Sequence, residues 1–339
     1  MRQRAVSIED IARMAEVSPS TVSRALRDSP LISADVRARI QQLAREVGYT
    51  PNSIARSLQA RRSNTIGLVV TSIADPFWAD VLHGVELAAR PAGLSVLLSA
   101  AHRDPEQEML AIELLHQRRV DGILVADSHI GGEYAGRLAR VQAPAVLINS
   151  QADGQHDLLH SVAVDDYGGA RQAVAYLLDL GHQRIGYLGS GSRPRSNRRR
   201  REGFRDALAA AGLPADDALV AVTPAGPTES EEDVAGGQAL LPRVLAAGAT
   251  AVFCYNDLFA VGALLACRER GLAVPADLSV VGFDDLHLAR YVTPPLTTIR
   301  QPKVDLGQQA MQLLLALLNN ESVQDLVVTP SLVTRASTA

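Results

Sequence analysis

Polar and aromatic side chains in this 339-residue chain gather where apolar runs stop. Asp75, Phe77 and Trp78 follow TIGLVV (65–70), Asn149 lies at the end of AVLINS (145–150), and Ser196 and Arg200 come after RIGYLGS (184–190). Asn256 falls at the end of AVFCYND (251–257) and Asp284 at the end of LSVVGFDD (278–285). In an open parallel sheet, ligands bind outside the carboxyl ends of the strands, so residues placed in this way share a crevice. Aromatic faces beside fixed acceptors and one forked donor suit a sugar ring or a flat heterocycle, either of which needs stacking and orientation. Each residue alone has a plainer reading, Phe77 or Trp78 as core and Asp284 as a helix cap. Their convergence on strand ends favours a site. The run Arg198 to Arg201 would ordinarily solvate a helix face, with Arg200 as the member expected to turn inward.

Catalytic readings fare worse. Gly189-Ser190-Gly191 is a bare G-x-G with Pro194 where a third glycine would be needed, and no Walker A loop occurs. His156 and His160 have the i, i+4 spacing of zinc ligands, but Asp153-Gly154 breaks that stretch and no HExxH pattern accompanies them. There is no G-x-S-x-G elbow. Cys254 and Cys267 both fall in apolar patterns and read as buried thiols. The expectation is a protein that is not an enzyme, with no metal and no cofactor.

The elements that must position the strand-end residues follow from the alternation of apolar runs with helical patterns, which calls for parallel sheets covered on both faces. Besides the runs above, LSVLLSA (94–100), GILVAD (122–127), SVAVD (161–165) and ALVAV (218–222) read as strands. They fall into two similar halves. LTTIRQP, a helix at 304–318 and a strand LVVTPSLVTR complete the body and are expected to cross between the halves. The composition, 47% hydrophobic and 21% charged, is globular, and no window reaches the roughly 18 apolar residues of a membrane span. With Glu9 and Asp10 where a secretory signal needs apolar residues, the chain reads as cytoplasmic.

Charge is uneven: residues 1–62 carry a net +5 and the remainder −9. A basic head on an acidic body is the electrostatic footprint of nucleic-acid contact at one end. Within the head, Ser7 and Asp10 form a capping-box pattern for a helix at 8–15, and Ser18 with Pro19 opens a second that runs to about Leu26. Ser33 caps a third, with Val36, Ile40, Leu43 and Val47 as its apolar stripe and Gly48 as its end. The first two, joined by a tight turn, describe a helix-turn-helix, with Ser20, Thr21 and Arg24 outward and Val22, Ala25 and Leu26 inward. SIARSLQA (53–60) is too short for a stable isolated helix and reads as a hinge.

The ordered series VSIEDIARMAEVSPSTVSRAL, ISADVRARI, GYTPNSIARSL, IGLVV, DPFW, RRVDGILV, LGHQRIGYLGS, R-x-x-GF, YNDLFAVGAL, PADLSVVGFDD and PPLTTIRQP resembles the LacI-type (lac and galactose repressor) family of transcription regulators over essentially the whole chain. The resemblance implies a small all-α helix-turn-helix head plus an α/β two-lobed body with parallel sheets of periplasmic-binding-protein type. The divisions are a head at 1–50, a hinge at 51–64 and a body at 65–339, whose lobes take about 65–160 plus 290–325 and 161–289 plus 326–339. It further implies that Pro19, Ser20 and Arg24 read base edges and that Ser18, Thr21, Ser23, Ser33, Tyr49 and Asn52 contact phosphates. Leu58 matches a leucine wedged into a minor-groove step by the hinge helix. Asp75, Phe77, Trp78, Asn149, Ser196, Arg200, Asn256, Asp284 and Gln301 match positions lining the effector cleft.

Two departures stand out. Glu16 occupies a turn position where glycine is common, at a cost of up to about 1 kcal/mol if the residue is left-handed. Asp75 stands where asparagine is frequent, and Trp78 where phenylalanine is frequent, which points to a larger or differently protonated ligand. The expected function is a homodimeric repressor on a near-palindromic double-stranded DNA operator, controlled by a small-molecule effector, most simply a sugar. A purine- or nucleoside-responsive co-repressor system is the alternative within the class, and a sugar-binding receptor without DNA function the alternative outside it.

Overall fold

The structure is a computed structural model that describes residues 6–49, 62–128, 130, 134–138, 140–150, 159–224 and 230–339. Two compact units result, Met1–Ser63 and Asn64–Ala339. The hinge helix expected at 53–60 lies outside the described residues.

In the first unit, α1 (Ile8–Met14) starts at Ser7 in a complete capping box with Asp10, as the sequence pattern predicts. Helix α2 (Pro19–Ala25) is capped by Ser18, with Pro19 at a position where its missing N–H is no loss. Glu16, between them, is left-handed with φ 55°, so the departure from glycine does carry its backbone cost. Helix α3 (Ala34–Glu46) follows Ser33, whose side chain makes no capping hydrogen bond. Ile11, Ala12, Ala15, Val22, Ala25, Ile40 and Ala44 form the core. Val36, expected in that core, is instead exposed, and Ala44 takes the inner position one turn beyond Ile40.

The second unit holds two six-stranded sheets. The first contains β1 (Thr65–Val70), β2 (Ser95–Ala100), β3 (Gly122–Ala126), β4 (Ala145–Ile148), β5 (His160–Val164) and β11 (Leu326–Val328), in the order β11-β5-β4-β3-β1-β2. The second contains β6 (Ile185–Gly189), β7 (Val220–Val222), β8 (Ala251–Cys254), β9 (Ser279–Asp284), β10 (Thr297–Arg300) and β12 (Ser331–Val333), in the order β12-β10-β9-β8-β6-β7. All pairings are parallel except that of β10 with β12. The two orders are the same pattern, and each reverses direction between its first and third strands, the switch point at which open sheets bind ligands.

Helices cover both sheets. Helices α4 (Pro76–Ala89), α5 (Pro105–Gln117), α6 (Ala135–Leu138) and α11 (Lys303–Leu318) belong with the first sheet. Helices α7 (Asp166–Asp179), α8 (Pro194–Ala210), α9 (Ser230–Ala246) and α10 (Asp257–Glu269) belong with the second. Strands buried on both faces explain why the sequence shows continuous apolar runs rather than alternation.

The lobe boundaries need correction in three places. SVAVD, placed in the second lobe, pairs with β4 as the fifth strand of the first sheet. LTTIR, placed in the first lobe with 290–325, pairs with β9 in the second sheet. LVVTPSLVTR is two strands rather than one, β11 in the first sheet and β12 in the second, because Pro330 has no N–H to continue a ladder. The chain thus crosses between lobes at Asp165-Asp166, Gln301-Pro302 and Thr329-Pro330. β5 is buried on both faces and β11 is apolar even where it is exposed, so neither has a polar face to mark its sheet, and local pattern cannot assign its partner.

Candidate ligand cleft and nucleic-acid interface

Strand ends from both sheets meet around a narrow cleft between the lobes. The first lobe supplies Phe77 and Trp78 from the first turn of α4, Asp127 after β3 and Asn149 after β4. From the second lobe and the crossings come Asp166, Arg193, Ser196, Arg200, Tyr255, Asp284 and Gln301. Seven of the nine residues expected at the cleft line it: Phe77, Trp78, Asn149, Ser196, Arg200, Asp284 and Gln301.

Asp75 and Asn256 are near neighbours that face away. Asp75 caps α4, accepting from Phe77 N–H at 3.1 Å, and its other oxygen accepts from Arg193 Nη2 at 2.6 Å. Asn256 caps α10 through Phe259 N–H at 2.9 Å and donates to Asp233 at 2.9 Å. Both carry the strand-end signature, and each spends one polar atom on a helix start and the other on a buried charged side chain. Asp75 therefore gives no reason to expect a larger or differently protonated ligand. The sequence reading missed Asp127, Asp166, Arg193 and Tyr255. Asp127 closes the run GILVAD, Tyr255 lies in AVFCYND, Asp166 directly follows SVAVD and Arg193 follows RIGYLGS, so the strand-end rule already pointed at all four.

Arg200 is the inward member of its run, 4% exposed. Its Nε donates to Asp166 at 2.8 Å and its Nη1 to the Tyr255 carbonyl at 2.5 Å, while Asp284 lies 4.0 Å away. The guanidinium sits 3.7 Å from the Phe283 ring centroid and 4.6 Å from that of Tyr255. Burial works against its charge, but Asp166, Tyr255 and Asp284 together hold its pKa above the ordinary value. Burial raises the pKa of Asp166 despite Arg200, and pushes Asp284 up to about 6 and Tyr255 to about 12. Gln301 Nε2 donates to Asp284 at 2.5 Å, and Ser196 shares a hydrogen bond of 2.6 Å with the Tyr255 hydroxyl. Trp78 donates its indole N–H to Thr71 at 3.0 Å and meets Phe77 edge-on, with centroids 4.9 Å apart.

Three lining atoms stand out because the protein leaves them unpartnered though buried: Asp127 Oδ2, Gln301 Oε1 and Arg193 Nε. Buried polar atoms are nearly always bonded, so two acceptors and one donor at one cleft mark places for ligand atoms or ordered water.

On the head, Pro19, Ser20 and Arg24 are exposed along α2 and Thr21 is half-buried, while Val22 and Ala25 are buried. Ser18 accepts from Thr21 N–H at 3.2 Å, and its hydroxyl lies 2.8 Å from that of Ser20. Ser23 is half-buried and accepts from Arg27 Nη2 at 2.5 Å, so its hydroxyl is already engaged. Ser33 is exposed, and Tyr49 is half-buried against the head core. Asn52 and Leu58 lie outside the described residues.

Residues 7–52 match the family described as bacterial regulatory proteins, lacI family, and residues 174–338 match a periplasmic binding protein-like domain. The transcriptional regulator GalR of Escherichia coli (strain K12) is 36% identical over 335 residues, covering 98% of this chain and 95% of that protein. The ribose operon repressor of Haemophilus influenzae is 35% identical, with 98% of each chain covered. Among solved structures, the lac repressor dimer bound to operator and the anti-inducer ONPF superposes with a TM-score of 0.87 at 29% identity, covering 99% of both chains. A helix-turn-helix head with a two-lobed, cleft-bearing body defines a DNA-binding transcription regulator. The chain belongs to the lacI family of bacterial regulatory proteins. Among the described residues, no helix is long and apolar enough to cross a membrane.

Proposed function

We propose that this regulator binds its operator as a homodimer and that a neutral sugar held in the inter-lobe cleft sets its DNA affinity. The observation that carries the sugar reading is the pair of unpartnered acceptors, Asp127 Oδ2 and Gln301 Oε1, beside the unpartnered donor Arg193 Nε. A polyol ring supplies hydroxyl donors to both acceptors and an oxygen to the donor, and its apolar face fits Trp78 and Phe77. A purine base brings N–H donors as well, but also several ring-nitrogen acceptors, for which the unpartnered atoms of the cleft supply the single donor Arg193 Nε. The name of the ribose operon repressor points the same way. On the head, Pro19, Ser20 and Arg24 would meet base edges, with Arg24 forked onto a guanine, and Ser18, Thr21, Ser33 and Tyr49 would seat the backbone.

The test is a melting-shift screen of D-ribose, D-galactose and other monosaccharides against purines and nucleosides, followed by gel shifts with operator-like duplexes from the neighbouring genes. A neutral monosaccharide is expected to raise the melting midpoint and alter specific, salt-sensitive DNA binding. Stabilisation by purines alone would end the sugar reading.

A further inference from the structure

Four ionic side chains cross the boundary between the lobes. Asp75 and Arg103 belong to the first lobe, and Arg193 and Asp233 to the second. Arg193 Nη2 lies 2.6 Å from Asp75 Oδ2 and 3.8 Å from Asp233 Oδ2, and Arg103 Nη2 lies 4.0 Å from the same Asp75 oxygen. All four are buried, with Asp75 at 3% and Arg193 at 7% exposure. Signs alternate along the chain, so each charge is flanked by its opposite. That arrangement holds only while the lobes touch, because separating them strips the short Asp75 to Arg193 contact from both partners. Apolar contact reinforces it, since Leu258 and Leu286 of the second lobe join the core cluster that contains Phe77, Trp78 and Val81. An asparagine at 75 would still cap α4 but would bring no charge to Arg193. The aspartate at this position thus adds an inter-lobe ion pair to an ordinary helix cap.

We propose that the Asp75 to Arg193 pair is an inter-lobe latch that stabilises the closed arrangement of the body, with Asp75 acting as a positioning residue that holds Arg193 Nε at the cleft wall. This inference stands apart from the identity of the effector.

The chain carries its own reporters. Trp78 is its single tryptophan and lines the cleft at 4% exposure. Lys303 is its single lysine, 6% exposed, donating to the carbonyls of Asp284 at 2.7 Å and Asp285 at 2.9 Å in the second lobe and lying 3.6 Å from Asp80 on α4 of the first. Both are buried with the lobes in contact. In the ligand-free full-length protein, acrylamide quenching of Trp78 and reductive methylation of Lys303, read by mass spectrometry, are compared between wild type, Asp75→Asn and Arg193→Gln. Each variant is expected to raise both rates by about tenfold if the open population grows as loss of a buried ion pair implies. The doubly neutral variant Asp75→Asn/Arg193→Gln removes both charges of the pair together while Asp233 keeps its bond from Asn256, and it carries the test if either single variant fails to melt cooperatively. Cooperatively folded variants with wild-type quenching and methylation rates would overturn the latch. So would wild-type protein whose Trp78 is already quenched as freely as in Asp75→Asn.

Discussion

Replacing Arg200 by methionine probes the cleft's central contact. The substitution keeps apolar bulk beside Phe283 and Tyr255 but removes the 2.8 Å pair with Asp166 and the 2.5 Å bond to the Tyr255 carbonyl. Breaking a buried ion pair from one side costs about 3 to 5 kcal/mol, because the remaining charge stays behind. The Asp166 side chain retains 15% exposure, so some water reaches the stranded carboxylate and the low end, about 3 kcal/mol, applies. Removing both partners changes the outcome. Arg200→Met with Asp166→Leu leaves neither buried charge and is expected to recover at least about 2 kcal/mol of the loss, the signature of a coupled pair in a double-mutant cycle. Urea unfolding followed by far-ultraviolet circular dichroism of the four proteins measures the cycle. Operator binding in a gel shift should survive, because the head has its own core, whereas a monosaccharide's melting shift should vanish in both arginine variants. A single-variant cost below about 1 kcal/mol, or additive costs, would refute the reading of Arg200 and Asp166 as a coupled buried pair.

Other expectations follow from particular atoms. A Cβ at Gly84 would lie 2.0 Å from the Val304 carbonyl oxygen, and one at Gly307 would lie 2.1 Å from that of Val81, so alanine at either site forces α4 and α11 apart. Each should cost about 3 kcal/mol or more in urea unfolding, and a cost near zero would mean that the helices do not pack backbone to backbone. Ser18→Ala removes the cap on Thr21 N–H and should destabilise the head by about 1 kcal/mol, measured as a lower head melting midpoint with the body transition unchanged. Burial raises Asp284 from 3.8 to about 6 in the fold and raises its neighbour Asp257 as well. The folded state therefore binds the extra proton, and the stabilisation it brings is complete below pH 3.8 and is lost as pH rises through about 6. Asp284→Asn should flatten that leg of the urea midpoint between pH 4 and 7, and an unchanged slope would contradict the burial argument.

Much of this architecture is legible in the residues because local rules and global packing agree. The cap at Ser7, the proline at position 19 and the apolar spacing of Ile11, Val22 and Ile40 set the head without reference to the body. The strand-end rule found six of the cleft's lining residues, the family resemblance added Gln301, and the rule erred at Asp75 and Asn256, where an acceptor at the end of a strand is also an acceptor at the start of a helix. Those two roles look alike in sequence. Arg193 follows a strand run as Ser196 does, but its pairing was out of reach, since the partner Asp75 lies 118 residues earlier and in the other lobe. Lobe membership failed at β5, β10 and β11, where apolar runs fit either sheet equally and only hydrogen-bonded register decides.

Where the chain crosses between lobes bears on how a bound molecule could be felt at a distance. Asp166 sits on the first crossing, directly after β5 and its capping residue Asp165, and Gln301 sits on the second, between β10 and Pro302. Both line the cleft, and Gln301 is also tied to Asp284. A ligand that bonds these residues acts on the connecting segments themselves, whose backbone angles set the angle between the lobes. It shifts that angle only by the difference in its affinity for the open and closed arrangements. The unpartnered Gln301 Oε1 on the second crossing and Asp127 Oδ2 on the first lobe line the same cleft, so a molecule that bonds both favours the arrangement that keeps the two within its reach.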